Sequence, residues 1–272
     1  MPHDHVTERY ALNGMVVSNL RFAVPLAHPR LAGDDPARED RTISVFAREV
    51  VAVEKRDADL PTLVFFQGGP GGAAPRPETR SGWLGKALEG HRVLLLDQRG
   101  TGLSTPVTSE TLPAEGDAAA QAAYLAHFRA DAIVEDAEAI RRELLGDRPW
   151  RGLGQSYGGF VLLRYLSAAP EGLEAALITG GIPSLTGTAE EVYRATYPHV
   201  EAKNRALFDR SPHAQALARR VADHLRGHDV RLPDGERLTV EQFQLLGIGL
   251  GASTGAARLV DLLERAFVDV GG

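Results

Sequence analysis

The sequence feature that most constrains this chain is the segment Gly154-Gln155-Ser156-Tyr157-Gly158, which has the pattern G-x-S-x-G. Glycines flank the serine in this pattern because a strand that turns sharply into a helix leaves no room for side chains there. Such a turn raises the serine hydroxyl above the edge of a sheet, next to the N-terminus of the helix. The pattern predicts a nucleophile at Ser156. An ordinary turn serine in a glycine-rich loop is the alternative.

The residues on either side of the motif have the composition that such a turn requires. The short segment Trp150 to Leu153 is interpreted as strand-like, and Phe160 to Ala168 is interpreted as a helix that ends before Pro170. Residues 117–145 have helical spacing, with a break expected near Ala130. Further strands are predicted at 42–53, 63–66, 93–96 and 175–179. Strands that alternate with helices predict a mostly parallel sheet with helices on both faces.

The glycine-rich segment Gln67-Gly68-Gly69-Pro70-Gly71-Gly72 is the second feature that bears on chemistry. Attack of a serine on a carbonyl group generates an oxyanion, which needs two backbone N–H donors. One donor is predicted at Tyr157, and the other at Gly68 or Gly69, where bare backbone can approach a substrate. A phosphate-binding loop is the alternative, but the Gly-Lys-Ser/Thr of that motif is missing.

A third segment, Asp97-Gln98-Arg99-Gly100-Thr101-Gly102, follows the apolar run at 93–96. Its glycines do not fit the dinucleotide-binding pattern G-x-G-x-x-G, because position 105 is threonine. We expect a structural role beside the site. Asp97 and Arg99 would pair either with each other or with neighbouring loops.

The pattern changes after Pro183, where strands no longer alternate with helices. Val230 to Leu238 is interpreted as a turn or small hairpin, and the spacing of Thr239 and Gln242 predicts a helix-capping box. We therefore expect an α/β core in residues 1–185 and a mainly helical cap, or lid, in residues 186–272. Helices of this cap are predicted at 188–210, 213–227, 240–250 and 255–268.

Composition excludes several classes of function. The net charge is −6 and no basic face stands out, which argues against a nucleic-acid partner. The chain has no cysteine, hence no disulfide or thiolate metal site, and no histidine pair lies beside acids at ligand spacing. The N-terminal residues are polar and the apolar runs are too short to span a bilayer. We expect a cytoplasmic protein without a signal peptide, a membrane span, a metal or a cofactor.

Three motifs together resemble the prolyl aminopeptidase (proline iminopeptidase) family, serine peptidases of the α/β-hydrolase fold. They are Gly-Gly-Pro-Gly-Gly from Gly68, Asp-Gln-Arg-Gly-Thr-Gly-x-Ser from Asp97 and Gly-Gln-Ser-Tyr-Gly-Gly from Gly154. The similarity extends through Thr179–Pro183 and 191–197. The family usually has histidine where this chain has Gln67, next to the oxyanion segment.

The resemblance implies that the protein releases an N-terminal residue, typically proline, from a peptide. Ser156 would form an acyl-enzyme, with a histidine as general base and an aspartate that orients it. The cap would bind the free amine of the substrate through carboxylates, for which Glu190 and Glu191 are candidates. A solvated helix N-terminus also explains these two acids.

In this fold the acid and the base follow the serine along the chain, after the last core strands. No convincing core strand follows Ile178, and all later histidines lie in predicted cap helices or at their ends: His199, His213, His224 and His228. We therefore expect the chain to lack the C-terminal core strands with the catalytic Asp and His, and to have little peptidase activity by itself.

Three other interpretations stay open. The same fold could act on an ester, a lactone or an amide, because fold does not fix chemistry. The chain could be a non-catalytic binding module that keeps the hydrolase pocket. A partner chain could supply the missing core, since apolar sheet edges left exposed favour a homo-oligomer.

Overall fold

A seven-stranded sheet is the frame of the first of the two units into which the chain divides, Met1–Pro183 and Ser184–Gly272. The computed structural model describes residues 5–28 and 41–267, so the loop predicted at 29–40 lies outside the described residues. The strands are β1 (Val6–Leu12), β2 (Met15–Pro25), β3 (Thr42–Ala52), β4 (Thr62–Phe66), β5 (Arg92–Asp97), β6 (Trp150–Gln155) and β7 (Leu173–Thr179). Their order across the sheet is β1-β2-β3-β5-β4-β6-β7.

The sheet is mixed. Strands β5, β4, β6 and β7 are parallel neighbours, as the alternation of strands and helices predicts. Strands β1, β2 and β3 pair antiparallel, and β3 pairs antiparallel with β5. The hairpin of β1 and β2 is absent from the sequence-based expectation. Its turn is Asn13-Gly14, with φ of 47° and 78°, and this residue pair favours two-residue hairpins because both positions need positive φ.

Helices cover both faces of the sheet, which explains why β4 is buried along its whole length and β5 along nearly all of it. One face packs against α3 (Ala130–Leu145) and α4 (Tyr157–Ala168), and the other against α1 (Gly82–Ala87) and the segment at Ala74. A separate helix, α2 (Ala118–Leu125), precedes α3. The predicted break near Ala130 is therefore confirmed.

Arg99 occupies a fully buried position in the first unit. Its Nε and Nη2 atoms donate to the two carboxylate oxygens of Asp136, at 2.7 and 2.6 Å. The other three N–H groups donate to backbone carbonyls, so all five donors are used. The carbonyls belong to Pro25, Leu26 and His127. Arg99 thus joins the end of β2 to α3.

The second unit is helical in the part that the structure describes. Its helices are α5 (Ala189–Arg210), α6 (Pro212–Gly227), α7 (Val240–Gln244) and α8 (Gly255–Arg265), with a 3-10 helix at Leu245–Gly251. The helix predicted at 240–250 is therefore a short α-helix that continues as 3-10. The capping box of Thr239 and Gln242 is confirmed, and a bridge between Arg231 and Arg237 closes the predicted hairpin.

None of the helices in residues 5–28 and 41–267 combines the length and the apolar character that crossing a membrane requires.

We expect Asp136→Ala to lower the free energy of unfolding by about 3–5 kcal/mol, because it leaves the Arg99 guanidinium buried without a counter-charge. Urea unfolding followed by circular dichroism measures the loss. Asp59→Ala is the matched control, since the Asp59–Arg148 pair is exposed and its removal should change stability little. Equal losses in the two variants would contradict the central role of this ion pair.

Candidate active site

Ser156 stands at the junction of β6 and α4, with φ of 55° and ψ of −119°. A residue other than glycine rarely adopts such a conformation, which costs about 1–3 kcal/mol. The Ser156 N–H donates to the carbonyl of Thr179, and the Ser156 carbonyl accepts from the N–H of Gly159, each at 2.8 Å. Helix α4 begins at Tyr157 rather than at the predicted Phe160, so its N-terminus lies directly at the serine.

Close backbone contacts explain the glycines of the motif. A Cβ at Gly158 would lie 1.9 Å from the carbonyl oxygen of Phe66, and a Cβ at Gly154 would lie 2.3 Å from that of Gly158. Backbone atoms cannot move aside as the end of a side chain can, so only glycine fits. Gly181 has the same requirement, since its Cβ would lie 1.9 Å from the Ser156 carbonyl oxygen. The motif does not include Gly181, but the glycine pair that follows β7 could have identified it.

Gly68 lies against the serine, where its Cβ would be 2.8 Å from the Ser156 Cβ and 2.9 Å from the Gln155 carbonyl oxygen. Within residues 5–28 and 41–267, the backbone N–H groups of Gly68, Gly69 and Tyr157 have no acceptor. These are the three donors predicted for an oxyanion. They are free to bind a group placed beside Ser156, and their role there stays a prediction.

The side chain of Tyr157 anchors the first residue of α4. Its ring packs against the core cluster of the first unit. Burial raises the pKa of the Tyr157 phenol, and the negative charge of Asp131 raises it further. The phenol is therefore neutral near pH 7, and the packed ring fixes the residue whose N–H is a candidate donor.

Asp97 lies at the end of β5 and is buried. Its Oδ1 accepts from the N–H of Ala74 at 2.9 Å, and its Oδ2 accepts from the N–H of Leu103 at 2.8 Å. Asp97 therefore pairs with neighbouring loops and not with Arg99, which is one of the two arrangements that the sequence left open.

In the described part of the first unit, the Ser156 hydroxyl forms no hydrogen bond with a histidine. In the second unit, His213 pairs with Glu264 at 2.8 Å, and the rings of His224 and His228 stack 4.1 Å apart. No group of three or more His, Asp or Glu side chains that could hold a metal occurs in the described part of the chain.

Glu190 and Glu191 begin α5 in the second unit. The Glu191 carboxylate accepts from the N–H of Thr188 at 2.7 Å, and the Thr188 hydroxyl accepts in return from the N–H of Glu191. The backbone bond to Thr188 lowers the pKa of Glu191, and the Thr188 hydroxyl adds to the effect. Glu190 pairs with Arg194 at 2.6 Å. Both acids stabilise the start of α5, and their role in substrate binding stays a prediction.

We expect Ser156→Gly to exceed Ser156→Ala in free energy of unfolding by about 1 kcal/mol. Glycine adopts the observed backbone conformation without strain, and this gain outweighs the larger entropy of its unfolded chain. Both variants lack the hydroxyl, so their difference isolates the backbone. Urea unfolding provides the comparison, and a more stable alanine variant would show that the turn is unstrained.

Comparison with known proteins connects this geometry to a family. Residues 61–259 match the alpha/beta hydrolase fold family. A proline iminopeptidase of Aeromonas sobria is 52% identical over 259 residues, which cover 95% of this chain and 59% of the relative. Proline iminopeptidase aneH of Aspergillus aculeatus is 35% identical over 260 residues, with coverage of 93% and 56%.

The chain therefore spans little more than half the length of these curated relatives. Among solved structures, a proline iminopeptidase-related protein from Thermus thermophilus is 25% identical, with coverage of 59% of this chain and 44% of that one. Its TM-score is 0.35, and this partial likeness supports no further argument. The family match confirms the fold class predicted from the sequence, and the chain belongs to the alpha/beta hydrolase fold family, with similarity to two proline iminopeptidases.

Proposed function

We propose that Ser156 is the nucleophile of a serine aminopeptidase that releases proline, or a similar residue, from the N-terminus of a peptide. The observation that carries the proposal is the position of Ser156 on a strained turn at φ 55°, in contact with the bare backbone of Gly68. The similarity to two proline iminopeptidases supports the substrate class.

The geometry supports a two-step acyl transfer. The Ser156 hydroxyl oxygen attacks the carbonyl carbon of the first residue, and the carbonyl oxygen becomes an oxyanion. The N–H of Tyr157 and that of Gly68 or Gly69 donate to this oxyanion, and the N-terminus of α4 adds a favourable dipole. The C–N bond then breaks, the shortened peptide leaves as an amine, and water hydrolyses the acyl-enzyme.

In the proposed mechanism a histidine base takes the proton of the serine and gives it to the nitrogen of the leaving amine, and an aspartate orients this histidine. Loss of triad members costs several orders of magnitude in rate. Since the Ser156 hydroxyl forms no hydrogen bond with a histidine in the described part of the first unit, we propose that the 272-residue chain alone turns over peptides slowly. Three predictions from the sequence stay predictions: that the helical second unit is a cap, that the protein is cytoplasmic, and that it assembles into a homo-oligomer.

A fluorophosphonate probe tests the nucleophile, because it modifies an activated serine and leaves an inert one unchanged. We expect slow labelling of the wild-type chain at Ser156, supported by the oxyanion donors in the absence of a histidine base and identified by mass spectrometry, and none in Ser156→Ala. Gly68→Ala should label at least about tenfold more slowly, since the added methyl crowds Ser156 and displaces a donor. Ser81→Ala is the control, because Ser81 is exposed and precedes α1. An unlabelled wild-type chain would favour the binding-module alternative.

Substrate profiling tests the peptidase assignment. We expect Ser156-dependent hydrolysis of L-proline p-nitroanilide to be weak in this chain, roughly a thousandfold or more below that of a complete triad. Any activity that remains should favour prolyl over alanyl substrates. Fast hydrolysis of the prolyl substrate would refute the expected lack of a base. A preference for p-nitrophenyl esters, without selectivity for proline, would favour the esterase alternative.

A further inference from the structure

The loop that faces Ser156 is attached at both ends to two consecutive buried side chains. We call residues 67–74 the glycine loop. At its start, the Gln98 side-chain Nε2 donates to the carbonyl oxygen of Gln67 at 2.9 Å. At its end, the N–H of Ala74 donates to Asp97 Oδ1 at 2.9 Å. Two adjacent residues of β5 and the turn after it therefore hold the two ends of one loop.

The register of the sheet explains why these residues meet. Strands β4 and β5 are parallel, with Phe66 opposite Leu96 as the last pair of their ladder. Each strand leaves the sheet just beyond that pair, and the Gln98 side chain bonds to the chain where it leaves β4. Asp97 and Gln98 are 1% and 3% exposed, so water does not compete for their hydrogen bonds.

Asp97 and Gln98 also accept hydrogen bonds from the turn that follows them. The backbone N–H and the hydroxyl of Thr101 both donate to the carbonyl oxygen of Gln98, at 3.0 and 2.8 Å. The N–H of Leu103 donates to Asp97 Oδ2. A Cβ at Gly102 would lie 2.2 Å from the same oxygen, so the turn closes tightly on the carboxylate. These contacts fix the Asp97 carboxylate and the backbone of Gln98.

The middle of the glycine loop has few bonds of its own. In the part of the chain that the structure describes, the N–H groups of Gly68 and Gly69 donate to no acceptor, and residues 69–71 form a turn. A loop that keeps its N–H groups free for a ligand cannot use them to fix its own shape. Its shape then depends on the attachment of its ends.

We propose that Asp97 and Gln98 are positioning residues, which hold the N–H groups of the glycine loop where the oxyanion forms. The proposal rests on the proposed function of Ser156. Both residues act through the loop, and a misplacement of about 1 Å in such a site costs on the order of a hundredfold in rate.

Two substitutions at Gln98 test the proposal. Gln98→Met keeps the length of the side chain and removes the donor, whereas Gln98→Glu places a carboxylate against the Gln67 carbonyl oxygen. In both, we expect hydrogen exchange of the Ala74 amide, which is hydrogen-bonded at the end of the loop, to become about tenfold faster, because one of the two buried hydrogen bonds that hold the loop is lost. Fluorophosphonate labelling of Ser156 should become at least about tenfold slower.

Ser18→Ala is the matched control for loss of a buried hydrogen bond. Ser18 is 2% exposed and accepts from Arg9 Nε at 2.9 Å. It lies on β2, which β3 and β5 separate from β4. Its substitution should leave the exchange of residues 67–74 and the labelling rate as in the wild-type chain.

A pH series separates positioning from general destabilisation. Burial against a carbonyl oxygen raises the pKa of the carboxyl introduced by Gln98→Glu. Below that pKa the carboxyl is protonated, and its O–H donates to Gln67 as the amide did. The Gln98→Glu variant should therefore regain the protection of the Ala74 amide near pH 5 and lose it near pH 8, after correction for intrinsic exchange. In Gln98→Met, hydrogen exchange of the Ala74 amide should stay fast at both pH values.

Unchanged exchange of the Ala74 amide in Gln98→Met, or an equal increase in Ser18→Ala, would overturn the proposal. If the Gln98 variants do not fold, amide exchange of the wild-type chain, measured by NMR, tests the proposal. The amide of Ala74, which donates to Asp97, must exchange at least about tenfold more slowly than that of Ala73, and equal rates would overturn the proposal. Exchange does not require a reactive serine. An unlabelled wild-type Ser156 would thus refute the proposed function alone.

Discussion

The first unit depends on one close approach, that of helix α4 to the end of strand β4. A Cβ at Gly158 would lie 1.9 Å from the Phe66 carbonyl oxygen, so the approach exists only because this position is glycine. The same approach forces the chain to turn within a single residue, and Ser156 takes the strained conformation. The strained backbone of Ser156 places its hydroxyl at the N-terminus of α4, beside the bare backbone of Gly68.

The buried polar side chains of residues 97–99 all form hydrogen bonds. Their partners lie in different parts of the first unit. Arg99 neutralises Asp136 and joins the end of β2 to α3. Asp97 and Gln98 bond to the glycine loop. Residues 97–102, whose two glycines partly resemble a dinucleotide-binding motif, therefore have a structural role. Their polar side chains are buried, and burial is tolerable because each one is hydrogen-bonded.

The elements that could be predicted from the sequence are those with strong local patterns. The apolar runs at 63–66 and 93–96 are buried strands, and the break near Ala130 separates two helices. The hairpin of β1 and β2 was missed because β1 is largely exposed and lacks an apolar run, although Asn13-Gly14 marks its turn. Helix propensity predicts the start of α4 at Phe160, because Gly158 and Gly159 are poor helix formers, and tertiary packing overrides that propensity here.

The sequence by itself determined the nature of the site: a serine between glycines, two glycine-rich segments that follow buried strands, and the family that these motifs indicate. The tertiary structure decided which groups meet. Asp97 reaches Ala74, 23 residues away, and Arg99 reaches Asp136, 37 residues away, instead of pairing with each other. Local sequence cannot specify such partners, because they depend on strand register and on the burial of charge. The same holds for position 181, which requires glycine because the carbonyl oxygen of Ser156 lies where a Cβ would be.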